Sequence, residues 1–293
     1  MKEVVILSGK GGTGKTSIVG SFAAIAGDKV MADCDVDAAD LHLLLKPTAK
    51  AENDFWSGQV AAIDSDKCTR CGLCQDLCRF DAITDFTVDP IACEGCGFCS
   101  HICPEGAITM QESLSGEWFI SDTDYGPLVH ARLGLAQENS GKLVTLVRQQ
   151  ARNLAQERGL GYIISDGPPG IGCPVISSLT GADLALVVTE PTLSGIHDLG
   201  RVLGLCRHFG VSAVVCINKY DLNLDNTRRI EEYCSAQGVE AAARIPFDNV
   251  VTEAIVRGMP VVASSEGRVS QEIHKLWRCV TGMLAQSAEA PEN

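Results

Sequence analysis

Short apolar runs recur along the chain and alternate with longer stretches of helical periodicity. Val4–Leu7, Val30–Ala32, Tyr162–Ile164, Leu184–Val188 and Val214–Ile217 read as buried strands, because both faces of each run are apolar, and Val129–Leu133 reads as a further strand. Between them, Ser17–Ala26 and the positions Leu143, Val144, Val147, Ala151 and Leu154 carry helical spacing, the latter after a start signal at Ser140-Gly141. This rhythm predicts an α/β fold, a mostly parallel sheet flanked by helices. It breaks after Leu45-Lys46-Pro47 and resumes beyond Gly126-Pro127, so residues 47–126 read as an insertion into a domain made of 1–46 and 127–293. A last amphipathic stretch places Val269, Ile273, Leu276, Trp277, Val280 and Leu284 on one face, expected to pack onto the sheet. Few basic residues accompany that face, and the tail Ala288–Asn293 is acidic, which disfavours an anionic bilayer as its partner.

The turn after the first apolar run is Ser8-Gly9-Lys10-Gly11-Gly12-Thr13-Gly14-Lys15-Thr16. Gly9, Gly14, Lys15 and Thr16 fit G-x-x-x-x-G-K-S/T at a strand-to-helix junction, where backbone N–H groups close around phosphate oxygens and the helix end adds partial positive charge. Lys15 is expected at the β/γ-phosphates and the Thr16 hydroxyl on Mg²⁺. Two acids end strands that should face this loop: Asp33, in Asp33-Cys34-Asp35-Val36-Asp37, and Asp166, in Ser165-Asp166-Gly167-Pro168-Pro169-Gly170. Carboxylates so placed suit Mg²⁺ and its waters, while a solvated acidic loop is the bland alternative for the first group. Asp37 and Asp40 have no assigned role.

Lys10, immediately after the first glycine, resembles the deviant phosphate loop of the ParA/MinD family, which also includes the nitrogenase iron protein and the arsenite ATPases. The resemblance covers about residues 1–46 and 127–285. It implies ATP binding and hydrolysis by a homodimer, with Lys10 crossing to the partner's nucleotide rather than standing as a plain surface lysine. By the same resemblance Asp33 lies near Mg²⁺, Asp35 orients the attacking water, and Lys10, Lys15 and Asp35 form the catalytic set. Gly9, Gly11, Gly12, Thr13, Gly14, Lys15, Thr16 and Ser17 would hold the phosphates, and Asn218 and Pro246 the adenine side, although a plain turn also accounts for Asn218.

Composition then changes the picture. The 24 basic against 37 acidic residues give a net charge of −13, which argues against a broad nucleic-acid or anionic-lipid footprint. No run approaches the length of a membrane span, and the first apolar run leads straight into the phosphate loop, which predicts a cytoplasmic protein without stable membrane insertion. Fourteen cysteines in that compartment call for metal rather than disulfides. Cys68, Cys71, Cys74 and Cys78 recur, shifted by 25, as Cys93, Cys96, Cys99 and Cys103, and Gly72, Ala82 and Ile83 recur at the same offset as Gly97, Ala107 and Ile108.

A duplicated C-x2-C-x2-C-x3-C resembles the two-cluster bacterial ferredoxins over about residues 64–110. The resemblance implies two 4Fe-4S clusters, one on Cys68, Cys71, Cys74 and Cys103, the other on Cys93, Cys96, Cys99 and Cys78, since the fourth cysteine of each run serves the other cluster. Zinc is the competing metal, but it favours paired knuckles. The proline that follows the last cysteine is present as Pro104 and replaced by Arg79 in the first copy.

Together these features predict a dimeric ATPase that couples nucleotide state to electron transfer toward a redox or iron-sulfur partner protein. An iron-sulfur assembly or carrier ATPase and a spatial-positioning ATPase are the alternatives. Cys173, seven residues after Asp166, matches a cluster-ligating cysteine of the nitrogenase iron protein. The second cysteine of that pattern is missing around Asn139-Ser140-Gly141, so a bridging cluster, a reactive thiol and a buried small residue all remain open for Cys173.

Overall fold

A computed structural model describes residues 1–134 and 140–286; Asn139 and the tail 288–293 lie outside them. From the N-terminus come β1 (Lys2–Ser8), α1 (Lys15–Ile25), β2 (Lys29–Asp33) and α2 (Leu41–Leu45). The cysteine-rich stretch carries β3 (Thr48–Ile63), α3 (Leu73–Asp76), β4 (Ile83–Thr84), β5 (Thr87–Val88), α4 (Phe98–Ile102) and β6 (Ile108–Thr123). Next are β7 (Gly126–Leu133), α5 (Ser140–Arg158), β8 (Tyr162–Pro169), α6 (Cys173–Leu179), β9 (Leu184–Thr189) and α7 (Leu193–His208). The chain continues through β10 (Ser212–Asn218), a 3₁₀ turn at Tyr220–Leu222, α8 (Leu224–Ala236) and β11 (Glu240–Ile245). Helices α9 (Asn249–Val256), α10 (Val261–Ser264) and α11 (Arg268–Gln286) complete it.

The chain divides into two compact units, one of residues 1–52, 118–132 and 140–293, the other of 53–117 and 133–139. In the first, the sheet runs β11-β10-β9-β1-β8-β2-β7, with each neighbouring pair parallel. The order then continues to β6 and β3, whose residues are shared between the units. The apolar runs are continuous because helices cover both faces. Val4, Ile6, Met31, Ile164 and Leu186 pack in a core with α1, α2, α10 and α11, while Val5, Leu7, Ala185 and Val187 pack with residues of α6, α7 and α8. Strand β1 lies between β8 and β9; the chain runs from β1 to β2 on one side and from β8 to β9 on the other, so a crevice opens at the carboxyl end of β1, where the glycine-rich loop sits.

Helix α11 turns Val269, Ile273, Leu276, Val280 and Leu284 into the first core, each nearly inaccessible, so its apolar stripe is used within the fold. Trp277 joins this packing with its ring 4.9 Å from Phe22.

Three strands differ from the sequence expectation. β3 and β6 are 16 residues each; β3 is mostly solvent-facing and β6 mostly half-buried, with polar residues along both, so they lack the continuous buried apolar signal that marks the other strands. β11 is an edge strand built from Glu240-Ala241-Ala242-Ala243-Arg244-Ile245, residues of low strand propensity held by pairing with β10. In the second unit, Ala61, Cys74, Ile83 and Ile108 form a small core against which Cys78, Cys93, Cys99 and Cys103 pack.

Candidate functional site

The loop between β1 and α1 is shaped by what its glycines touch. A Cβ at Gly9 would stand 2.3 Å from Cβ of Asp198 on α7, and one at Gly14 would stand 2.4 Å from Nδ2 of Asn218. Gly14 also has φ 84° and caps α1 without a side-chain hydrogen bond, so the first N–H groups of the helix are left for a ligand. Asn218, at the end of β10, donates from Nδ2 to the Thr13 carbonyl at 2.7 Å, and its Oδ1 accepts from the Lys219 N–H at 3.0 Å. Lys219 Nζ reaches the Gly12 carbonyl at 3.3 Å. Asn218 therefore braces the loop, and Pro246 faces the same side, in a cavity of about 200 Å³ that also touches Gly12, Gly14, Phe247 and Thr252.

A larger open cavity of about 570 Å³ brings the loop residues Gly11–Ser17 together with Asp35, Asp37, Asp40, Pro168 and Pro169. Segments far apart in sequence converge here because β1, β2 and β8 are neighbours that all end at this edge. The Thr13 hydroxyl is buried with no hydrogen-bond partner. An unpaired buried donor beside open N–H groups and a lysine fits a polyphosphate.

The charges are concentrated in a small volume. Asp33 and Asp166 face each other across the β2–β8 register, and both are essentially inaccessible. Asp33 accepts from the N–H groups of Asp35 and Leu41, each at 3.2 Å. Burial, and then the neighbouring Asp166, hold its carboxyl well above the usual carboxylate range. Lys15 Nζ donates to Asp166 Oδ1 at 2.7 Å and stands 3.8 Å from Asp35 Oδ2. Burial works against its charge, but Asp166, Asp35 and Asp33 together raise its pKa. The Asp35 carboxyl is pushed up to about 6, by burial first, against the pull of Lys15. Paired buried carboxylates beside Lys15, at the strand ends that meet the loop, are a donor set that suits a hard divalent cation, whose charge would stabilise both in ionised form.

Lys10 is held within its own chain, 3.4 Å from Glu190 Oε2 and 3.4 Å from the Thr192 hydroxyl. Glu190, directly after β9, also pairs with Lys219 and is a candidate-site residue that the sequence analysis passed over. Its signal was available: an acid directly after an apolar strand, in Thr189-Glu190-Pro191.

In the second unit, two cavities are lined by cysteines, all of them free thiols. One of about 230 Å³ contains Cys78, Cys93, Cys96 and Cys99 and also touches Cys74; the other, narrower at about 20 Å³, contains Cys68, Cys71, Cys74 and Cys103. The fourth cysteine of each sequence run thus lies with the first three of the other. Gly72 (φ 83°) and Gly97 (φ 73°) start α3 and α4 with the same left-handed turn, so the repeat is structural as well as sequential. Among the described residues, no three His, Cys, Asp or Glu side chains converge as a single-ion site requires. Cys173 is exposed at the start of α6, where a Cβ on Gly141 would lie 3.5 Å from its own Cβ.

The profile of the CbiA family, described as the CobQ/CobB/MinD/ParA nucleotide binding domain, matches residues 4–261. The chain belongs to this family. It is 35% identical over 278 residues to the uncharacterized protein MJ0578 of Methanocaldococcus jannaschii, covering 94% of this chain and 95% of that one. To the septum site-determining protein MinD of Bacillus subtilis it is 24% identical over 292 residues, covering 96% and 89%. The fold is similar to that of the Pyrococcus furiosus cell division ATPase MinD (TM-score 0.60, 20% identity, 96% and 99% covered). It is also similar to Pyrococcus horikoshii MinD complexed with Mg-ADP (TM-score 0.58, 18% identity, 99% of both chains covered). As a MinD/ParA-type P-loop protein, this chain is an ATP-hydrolysing enzyme. No helix among its described residues is long and apolar enough to cross a membrane.

Proposed function

We propose that this MinD/ParA-type ATPase works as a homodimeric switch whose nucleotide state governs one-electron transfer through two 4Fe-4S clusters. The observation that carries the reading is the crossed lining of the two cysteine cavities, Cys68, Cys71, Cys74 with Cys103 and Cys93, Cys96, Cys99 with Cys78. Cysteines spread around a cavity wall suit a multi-iron cluster, whereas zinc draws four ligands to one point. The clusters would lie in an insertion spanning residues 47–126, with the ligands inside 64–110. When bound, each cluster supplies a site for a single electron.

The geometry supports the following ATPase roles. Lys15 leaves Asp166 to meet the β/γ-phosphates, and Thr16, Asp33 and Asp166 would hold Mg²⁺. Asp35 positions water at the open end of the cavity, and Lys10, released from Glu190, reaches the nucleotide of the second subunit. The base lies toward Asn218 and Pro246. Turnover is slow until a partner protein completes the site, because Lys10 is withdrawn in the single chain.

Iron and acid-labile sulfide on anaerobically purified protein test the cluster assignment, with about sixteen irons per dimer expected. Stoichiometric zinc, or no iron, would refute it. About twenty irons, falling to sixteen in Cys173→Ser, would add a cluster bridging the dimer through Cys173. Voltammetry with and without a non-hydrolysable ATP analogue tests the coupling, which unchanged potentials and unchanged transfer rates would overturn. Rapid passage of the clusters to an apo-protein would instead favour the assembly reading.

The similarity to B. subtilis MinD across most of both chains favours a second reading, in which the ATP-bound dimer positions itself on a surface or partner. Co-sedimentation with anionic liposomes in the presence of ATP would support it.

A further inference from the structure

The two cysteine repeats are not electrostatically alike, and the difference sits at the residue after the fourth cysteine. Arg79 follows Cys78 where Pro104 follows Cys103. Arg79 belongs to the wall of the cavity that contains Cys78, Cys93, Cys96 and Cys99, together with Glu94. Arg79 is exposed, and its guanidinium lies 5.1 Å from the ring centroid of Phe80, which lines the same wall, a contact that favours keeping the cation on that side. The other cavity has Pro104 and Glu105 in its wall and no cation. Arg70 stacks 5.9 Å from the ring of Phe86, which lines that second cavity, but Arg70 itself is not in the wall. Wall charge is therefore balanced in the first cavity and negative in the second.

Resting on the cluster reading above, we propose that Arg79 sets the potential of the cluster held by Cys93, Cys96, Cys99 and Cys78, making it the site where a single added electron resides. A cluster on four thiolates becomes more negative by one charge when it takes an electron from an external one-electron donor, and no bond to the protein changes. A cation at its wall stabilises that added charge, while Glu105 opposes it at the other cluster. Nearby charge is one of the levers on such potentials, alongside hydrogen bonds to sulfur and solvent exposure. Arg79 touches no reacting atom in this scheme; it positions charge.

The test is a redox titration of the full-length protein with dithionite as reductant, followed by electron paramagnetic resonance, with iron counted in every variant. The wild type should show two separated one-electron steps. Arg79→Gln should move the higher step downward and leave the lower one in place, Arg79→Lys should keep the wild-type pattern, and Glu105→Gln should move the lower step upward. Arg70→Gln should move the lower step, if either. An unchanged higher step in Arg79→Gln with full iron content overturns the proposal and leaves the clusters standing. A wild type with no bound iron overturns the cluster reading itself.

Discussion

Replacing Lys15 with methionine in the nucleotide-free protein should destabilise it by an amount that depends on Asp166. The pair is 2.7 Å apart with side chains 7% and 1% exposed, so neither charge has water to fall back on. At an effective dielectric constant of about 20, the gross attraction is about 6 kcal/mol, and desolvation offsets much of it. Removing one partner leaves the other buried and uncompensated, at a cost of about 3–5 kcal/mol. Urea unfolding followed through Trp277, packed against Phe22, reports on the unit that holds the pair. Lys15→Met should lose about 3–5 kcal/mol at pH 7.5. In Lys15→Met/Asp166→Asn the loss should fall short of the sum of the single losses by about 2 kcal/mol. Additivity within about 0.5 kcal/mol would show that the two side chains do not depend on each other, and the electrostatic account of the site would fail.

Asp35→Ala should bind a fluorescent ATP analogue with near-parental affinity yet lose most ATP turnover; parental turnover would remove Asp35 from its role. Glu3→Ala should cost about 3–5 kcal/mol in urea unfolding, because Glu3 accepts from Arg148 at 2.6 Å and Arg152 at 2.7 Å, and Arg148 is buried. His130, stacked on Phe119 and bonded to Ser121, has its pKa lowered to about 4, by burial and then His42. The unfolded chain therefore binds the extra proton between pH 6.5 and 4, so this contribution is fully present above pH 6.5 and lost as pH falls through 4, about 3 kcal/mol in all. A His130→Asn variant should show a correspondingly shallower loss of stability over that window than the parent.

The phosphate loop was legible in the sequence because its chemistry needs particular residues at fixed spacing: glycines where a Cβ would strike Asp198 or Asn218, and a lysine and threonine opening the helix. The parallel strands were legible because burial on both faces leaves an unbroken apolar run, as at Val4–Leu7. Cysteine spacing disclosed the repeat for a similar reason, since each copy reuses one local turn, with Gly72 or Gly97 in the left-handed region. The solvent-facing strand β3 and the half-buried strand β6 left no such trace, because nothing selects an unbroken apolar run where water reaches the side chains on at least one face. Tertiary structure alone decided which groups meet. Lys15 and Asp166 are 151 positions apart and became an ion pair only when β1 and β8 were laid side by side. Glu190 gained its hold on Lys10 and Lys219 because β9 ends between the loop and β10. The charges on Asp33 and Asp35 follow from burial and neighbours that no local stretch of sequence encodes.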